Sequence, residues 1–137
     1  MSHIDILKAQ LIVDEGKRNK MYLDSKRIES IGIGHNLRDK PISDRAVDII
    51  FEDDVSDAEA DIKKLFPSFD DLTDNRKAVV LNMLFNMGLE TFSQFHHTIA
   101  LINSGSYDDA ATAMLASAWA VQVGQRADRL ADLMRTG

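Results

Sequence analysis

The chain contains no cysteine. A disulfide framework, a thiol nucleophile and any Cys-based zinc or iron–sulfur site are therefore excluded. Proline is almost as scarce: there are two, Pro41 and Pro67, and they bracket one long helical pattern without interrupting it. No stretch approaches the roughly 18 apolar residues of a membrane span. Met1-Ser2-His3-Ile4-Asp5 has no charged region followed by an apolar run, so the expectation is a chain that neither exports nor anchors itself. Positive charge is also in deficit. Sixteen Lys and Arg stand against 22 Asp and Glu, a formal charge of -6, which argues against a nucleic-acid binder that works by neutralising phosphates. No internal repeat, coiled-coil heptad or low-complexity tract is present.

At 137 residues and 45% hydrophobic, the chain is one domain's worth and long enough to bury a core. Ile4, Leu7 and Leu11 recur at helical spacing until Gly16 stops the pattern. The period then changes to two, with Met21-Tyr22-Leu23 and Ser30-Ile31-Gly32-Ile33 flanking a polar turn from Asp24 to Glu29, which predicts a small β-hairpin. Residues 39–43 read as a linker with Ser43 as N-cap. Ala46, Val47, Ile50, Phe51, Val55, Ala58, Ile62 and Leu65 then describe one helix of more than twenty residues, its acidic run forming a solvated face. Thr73 or Asp74 caps a nearly all-round apolar helix that ends at Gly88. Beyond a turn at 89–93 come helices at 97–103 and 107–116, a short helical piece with Trp119, an interruption at Gly124 and a last amphipathic helix.

The segment from Asp14 to His35 is the candidate site. It places Glu15 at a helix end, Asp24 in the hairpin turn and the hydroxyl of Ser30 on the returning strand. Glycoside hydrolysis usually needs two carboxylic acids on opposite sides of a sugar ring, one protonating the leaving oxygen and the other handling water. Ser30 has no His/Asp relay at recognisable spacing, so its hydroxyl suits water holding better than nucleophilic attack. Tyr22 reads as hairpin packing. His35, His96 and His97 show no metal-ligand spacing, and neither a metal nor a cofactor is expected.

The string Glu-Gly, eight residues between Glu15 and Asp24, five more before Ser30, then Ile-Gly-Ile-Gly-His, resembles the active-site segment of the phage-type lysozymes, glycoside hydrolase family 24. The resemblance continues in order through Phe51 to Val55, Arg76 to Gly88, Trp119, Arg126, Arg129 and Arg135-Thr136-Gly137. It implies an α+β, mainly α, lysozyme-like fold in one domain: a hairpin lobe at about 15–42, a connecting helix at about 43–66, and a helical lobe at about 67–137 joined by the N-terminal helix, with a cleft between the lobes. It implies an endolysin-type muramidase that cuts the β-1,4 bond between N-acetylmuramic acid and N-acetylglucosamine with inversion. Glu15 would be the acid, with Asp24 and Ser30 activating water. Phe85, Asn86 and Thr98 match sugar-binding positions. His35 would pair with Asp54, Asp14 with Arg129, and Glu15 would lie near Arg126.

The expected partner is peptidoglycan, acted on by a monomer made in the host cytoplasm and released through a holin, without stable membrane insertion. This chain departs from the family in having Ser30 for the usual Thr, Ala113 for an Asn, a shorter segment between His35 and Ser43, and its acidity. A basic enzyme would be steered to the anionic wall; here the acids crowd into 52–61 and 70–74, while the C-terminal segment keeps its arginines. Two rival readings keep the fold: a lytic transglycosylase using Glu15 alone, and a non-catalytic wall-binding or virion protein.

Overall fold

A computed structural model describes all 137 residues. It divides into two compact units, Met1–Ile50 and Phe51–Gly137. The fold is mainly helical with one small antiparallel sheet, the lysozyme-like α+β arrangement expected from the sequence.

The first unit opens with α1 (His3–Glu15). Ser2 starts it with a reciprocal cap: its hydroxyl accepts from the Asp5 N–H, and the Asp5 carboxylate accepts from the Ser2 N–H at 3.0 Å. These bonds lower the pKa of Asp5. Gly16 ends the helix at φ +81°, where its N–H still reaches the Ile12 carbonyl. Three strands follow, β1 (Arg18–Leu23), β2 (Glu29–Gly32) and β3 (His35–Asn36), in the order β1-β2-β3. The sheet thus has one strand more than the expected hairpin. Gly34, at φ +69°, reverses the chain so that His35 pairs back onto Ile31. Arg38 ties this third strand to the second through paired bonds to the Glu29 carboxylate at 2.9 and 3.1 Å.

Helix α2 (Asp44–Leu65) begins at Ser43, whose hydroxyl accepts from the Ala46 N–H, and the division between the units falls within it. No helix in the chain is long and apolar enough to cross a membrane.

The second unit holds the hydrophobic core. Ile62 and Phe66 enter it from α2 and its end, Val79, Val80 and Met83 from α3 (Asp74–Met87), and Phe92 from α4 (Leu89–Ser93). Ile102 comes from α5 (His96–Asn103), Met114 from α6 (Tyr107–Leu115), Trp119 from α7 (Ala118–Val123), and Ala131 and Met134 from α8 (Gln125–Thr136). Thr73 caps α3 as expected. The predicted turn at 89–93 is instead a short helix, because the Phe92 N–H bonds back to the Gly88 carbonyl and the Phe92 ring is buried 5.5 Å from Phe66.

Arg76 fastens the end of α8 to α3. Its guanidinium donates to the carbonyls of Met134 (2.8 Å) and Arg135 (3.1 Å) while lying 3.7 Å over the Tyr107 ring. Arg76→Ala removes two charge-assisted bonds and the cation–π contact, and should cost about 2 kcal/mol. Urea denaturation with an unchanged slope is the measurement; a midpoint equal to the parent's would show that the clamp contributes nothing.

Candidate active site in the first unit

The pocket of interest lies within the first unit, a hollow of about 560 Å³ lined by Asp14, Glu15, Arg18, Tyr22, Asp24 and Asn36, among others. Glu15 and Asp24, singled out from sequence, are brought together here from different backbone elements. Glu15 is the last residue of α1, so the helix end decides where its carboxylate begins. Gly34 decides where it rests: a β-carbon at Gly34 would lie 3.2 Å from the Glu15 Cγ and 3.5 Å from its carboxyl carbon. The backbone of the turn therefore forms one wall against the acid.

Asp24 occupies the turn between β1 and β2. Its Oδ1 accepts from the N–H groups of Lys26 (2.8 Å) and Ile28 (2.9 Å), and its carbonyl accepts from Arg27. One carboxylate oxygen is thus committed to holding the turn, and Arg27 takes the left-handed conformation, φ +62°, that closes it. The other oxygen, Oδ2, makes no hydrogen bond within the protein, which leaves one acceptor of fixed orientation.

Ser30 stands opposite Tyr22 in the sheet, is only 3% exposed, and donates its hydroxyl proton to the Ile28 carbonyl at 3.1 Å. It does not line the hollow that Glu15 and Asp24 share. His35 donates from Nε2 to the Lys40 carbonyl at 3.0 Å, closing the loop behind β3. Asp14 lines the hollow beside Glu15.

The remaining predicted residues belong to the second unit. Phe85 is half exposed and tilts against Phe51 with ring centres 6.3 Å apart; it shares a hollow of about 290 Å³ with Asp54, Asp57 and Asp61. Asn86 accepts from the Trp119 indole N–H at 2.8 Å, and both line a cavity of about 540 Å³. Thr98 is buried at 5% exposure. Arg126 grips Asn82 Oδ1 through two nitrogens at 2.9 and 2.7 Å, and Arg129 is exposed on α8. No group of three or more His, Asp or Glu side chains converges to hold a metal ion. Sequence reasoning missed Arg18, Lys26 and Gly34. A local charge count would have flagged the first two, and the repeated glycine of Gly32-Ile33-Gly34 the third.

Gly34→Ala combines a left-handed backbone with a close contact and should cost about 1–2 kcal/mol while displacing the Glu15 carboxyl. The carboxyl ¹³C resonance of Glu15 should move, and an unmoved resonance with unchanged stability would refute the packing argument. Glu29 gives a pH test. The Arg38 hydrogen bonds hold its carboxyl below the ordinary value, so its contribution to stability is present above the unfolded-state pKa and is lost as pH falls through the lowered folded value. Arg38→Gln should return the Glu29 titration midpoint toward the usual range in an NMR titration; a midpoint unaffected by the substitution would exclude Arg38 as the cause.

The chain is similar to known proteins over nearly its whole length. The chain is 29% identical to the "Probable T4-type lysozyme 2" of Dictyostelium discoideum, with 98% of this chain and 96% of that one aligned. It is 26% identical to that organism's "Probable T4-type lysozyme 1" over the same shares. The pre-baseplate central spike protein Gp5 of Enterobacteria phage T4 is 28% identical over 90% of this chain, which spans 26% of that longer protein. The phage lysozyme family model matches residues 13–135, from just ahead of Glu15 to the last turn of α8, and the chain belongs to that family.

Proposed function

We propose that this protein is a muramidase that hydrolyses the β-1,4 bond between N-acetylmuramic acid and N-acetylglucosamine in peptidoglycan, with inversion at the anomeric carbon. The observation that carries the reading is the pairing of Glu15 and Asp24 in one hollow, each positioned by backbone from a different element. Membership of the phage lysozyme family and likeness to two probable T4-type lysozymes support it.

In this reading Glu15 protonates the leaving oxygen. Asp24 accepts a proton from water through Oδ2, the oxygen not spent on the turn. Ser30, buried and outside the hollow, commits its own proton to the Ile28 carbonyl at the end of the Asp24 turn. A water that donates one proton to Asp24 keeps a lone pair for the anomeric carbon. Phe85 offers an exposed ring for the apolar face of a sugar. Asn86, its oxygen held by Trp119, keeps its amide N–H groups for a saccharide.

Digestion of purified peptidoglycan followed by mass spectrometry tests the reaction. Reducing-end products are expected; anhydro ends would indicate a transglycosylase, and intact polymer a non-catalytic protein. Glu15→Gln should lower turnover by about a hundredfold or more without loss of thermal stability. A variant that keeps a tenth of the parent's rate would remove Glu15 from the mechanism.

A further inference from the structure

The turn that carries Asp24 contains the one non-glycine residue of the chain in the left-handed region, Arg27 at φ +62°. A side chain there crowds the following carbonyl, so the conformation persists only where its surroundings hold it. Within the turn, the Arg27 N–H donates to the Asp24 carbonyl at 2.9 Å and the Asp24 N–H donates to the Ile28 carbonyl at 3.0 Å.

A further hold comes from Arg38, in the segment that follows β3. Its Nη2 donates to the Arg27 carbonyl at 2.9 Å and to Glu29 Oε1 at 3.1 Å, while Nε donates to Glu29 Oε2 at 2.9 Å. One guanidinium thus grips the residues on both sides of Ile28. Hydrogen bonding and charge from Glu29 keep the Arg38 pKa above its ordinary value, with Asp39 and Asp24 adding to the effect, so the clamp stays cationic. The pair is about half exposed, and its planar two-point geometry is what lets it hold a direction in water.

The bond to Arg27 bears directly on Asp24. The Arg27 carbonyl and the Ile28 N–H are opposite edges of one planar trans peptide, so fixing the first fixes the second. That N–H is a donor to Asp24 Oδ1, at 2.9 Å. Arg38 and the Asp24 carboxylate therefore hold the two ends of the same peptide unit. Neither Arg38 nor Glu29 lines the hollow shared by Glu15 and Asp24, so a sugar in that hollow meets the turn and not the clamp.

We propose that Arg38 is a positioning residue for Asp24: by gripping the Arg27 carbonyl it fixes the peptide that holds Oδ1, and so aims Oδ2 at the water to be activated. The inference rests on the muramidase reading for the reaction it serves. Within that reading it gives a task to the short segment between His35 and Ser43, where this chain departs from its family.

Arg38→Gln tests the role with two readouts. In NMR spectra the amide protons of Lys26 and Ile28, the two donors to Oδ1, should move upfield as their bonds lengthen. On purified peptidoglycan, kcat should fall about tenfold with KM within about twofold of the parent, because the clamp lies outside the hollow. Arg38→Lys keeps the charge but lacks the fork that reaches Arg27 and Glu29 together, so it should lose nearly as much. A lysine variant with the parent's kcat would mean that charge and not geometry matters, and would overturn the proposal.

Arg27→Gly supplies the rescue. Glycine takes the left-handed conformation without strain, so in that background Arg38→Gln should lower kcat by less than about threefold. Equal losses in the two backgrounds would mean that Arg38 does not act through Arg27. The amide shifts need no turnover, which separates this role from the reaction it serves. A parent that yields no cleavage products, while both amides respond to Arg38→Gln, would refute the muramidase reading alone. One that cleaves peptidoglycan with both amides unmoved in the variant would refute the positioning role alone.

Discussion

Glu15 is confined from two directions by backbone that only glycine adopts without strain. Gly16, at φ +81°, ends the helix immediately after it, and Gly34, at φ +69°, brings the strand turn to within van der Waals reach of its side chain. If either conformation relaxed, the acid would lose its fixed position relative to the Asp24 turn. That turn is secured separately, by an aspartate whose Oδ1 replaces missing backbone partners. The features that hold the two carboxylates are local backbone ones within about twenty residues of sequence.

That locality explains why this part of the molecule could be read from the sequence. A helix stop at Gly16, a polar turn at Asp24 and caps at Ser43 and Thr73 are all short-range signals, and the structure contains each of them. The third strand was not legible, because a two-residue strand carries too little periodicity to register. Nor was the orientation of Ser30. In Ser-Ile-Gly-Ile, alternation allows either face to be covered, and only the pairing with Tyr22 decides that the hydroxyl is buried. Contacts across long separations were invisible: the Trp119 bond to Asn86 spans 33 residues and the Arg76 bond to Met134 spans 58.

Charge was legible but easily misread. A whole-chain total of -6 suggests a molecule repelled by an anionic wall, yet total charge describes long-range behaviour and says little about a surface once a polymer strand touches it. The acidic stretch at 52–61 and the lysines and arginines from Lys17 to Lys40 lie in different units and can therefore serve different ends. An acidic body favours solubility and monodispersity.

The indole of Trp119 gives this architecture an optical property. It is the only tryptophan in the chain, is 4% exposed, donates to Asn86 and borders a cavity of about 540 Å³ in the second unit. Its emission therefore reports on that unit alone, and the first unit, whose one aromatic residue is Tyr22, is silent at tryptophan-selective excitation. A fluorescence melt followed beside far-ultraviolet circular dichroism compares one unit with the whole backbone. Any gap between the two curves is the signature of a hairpin unit that melts on its own schedule.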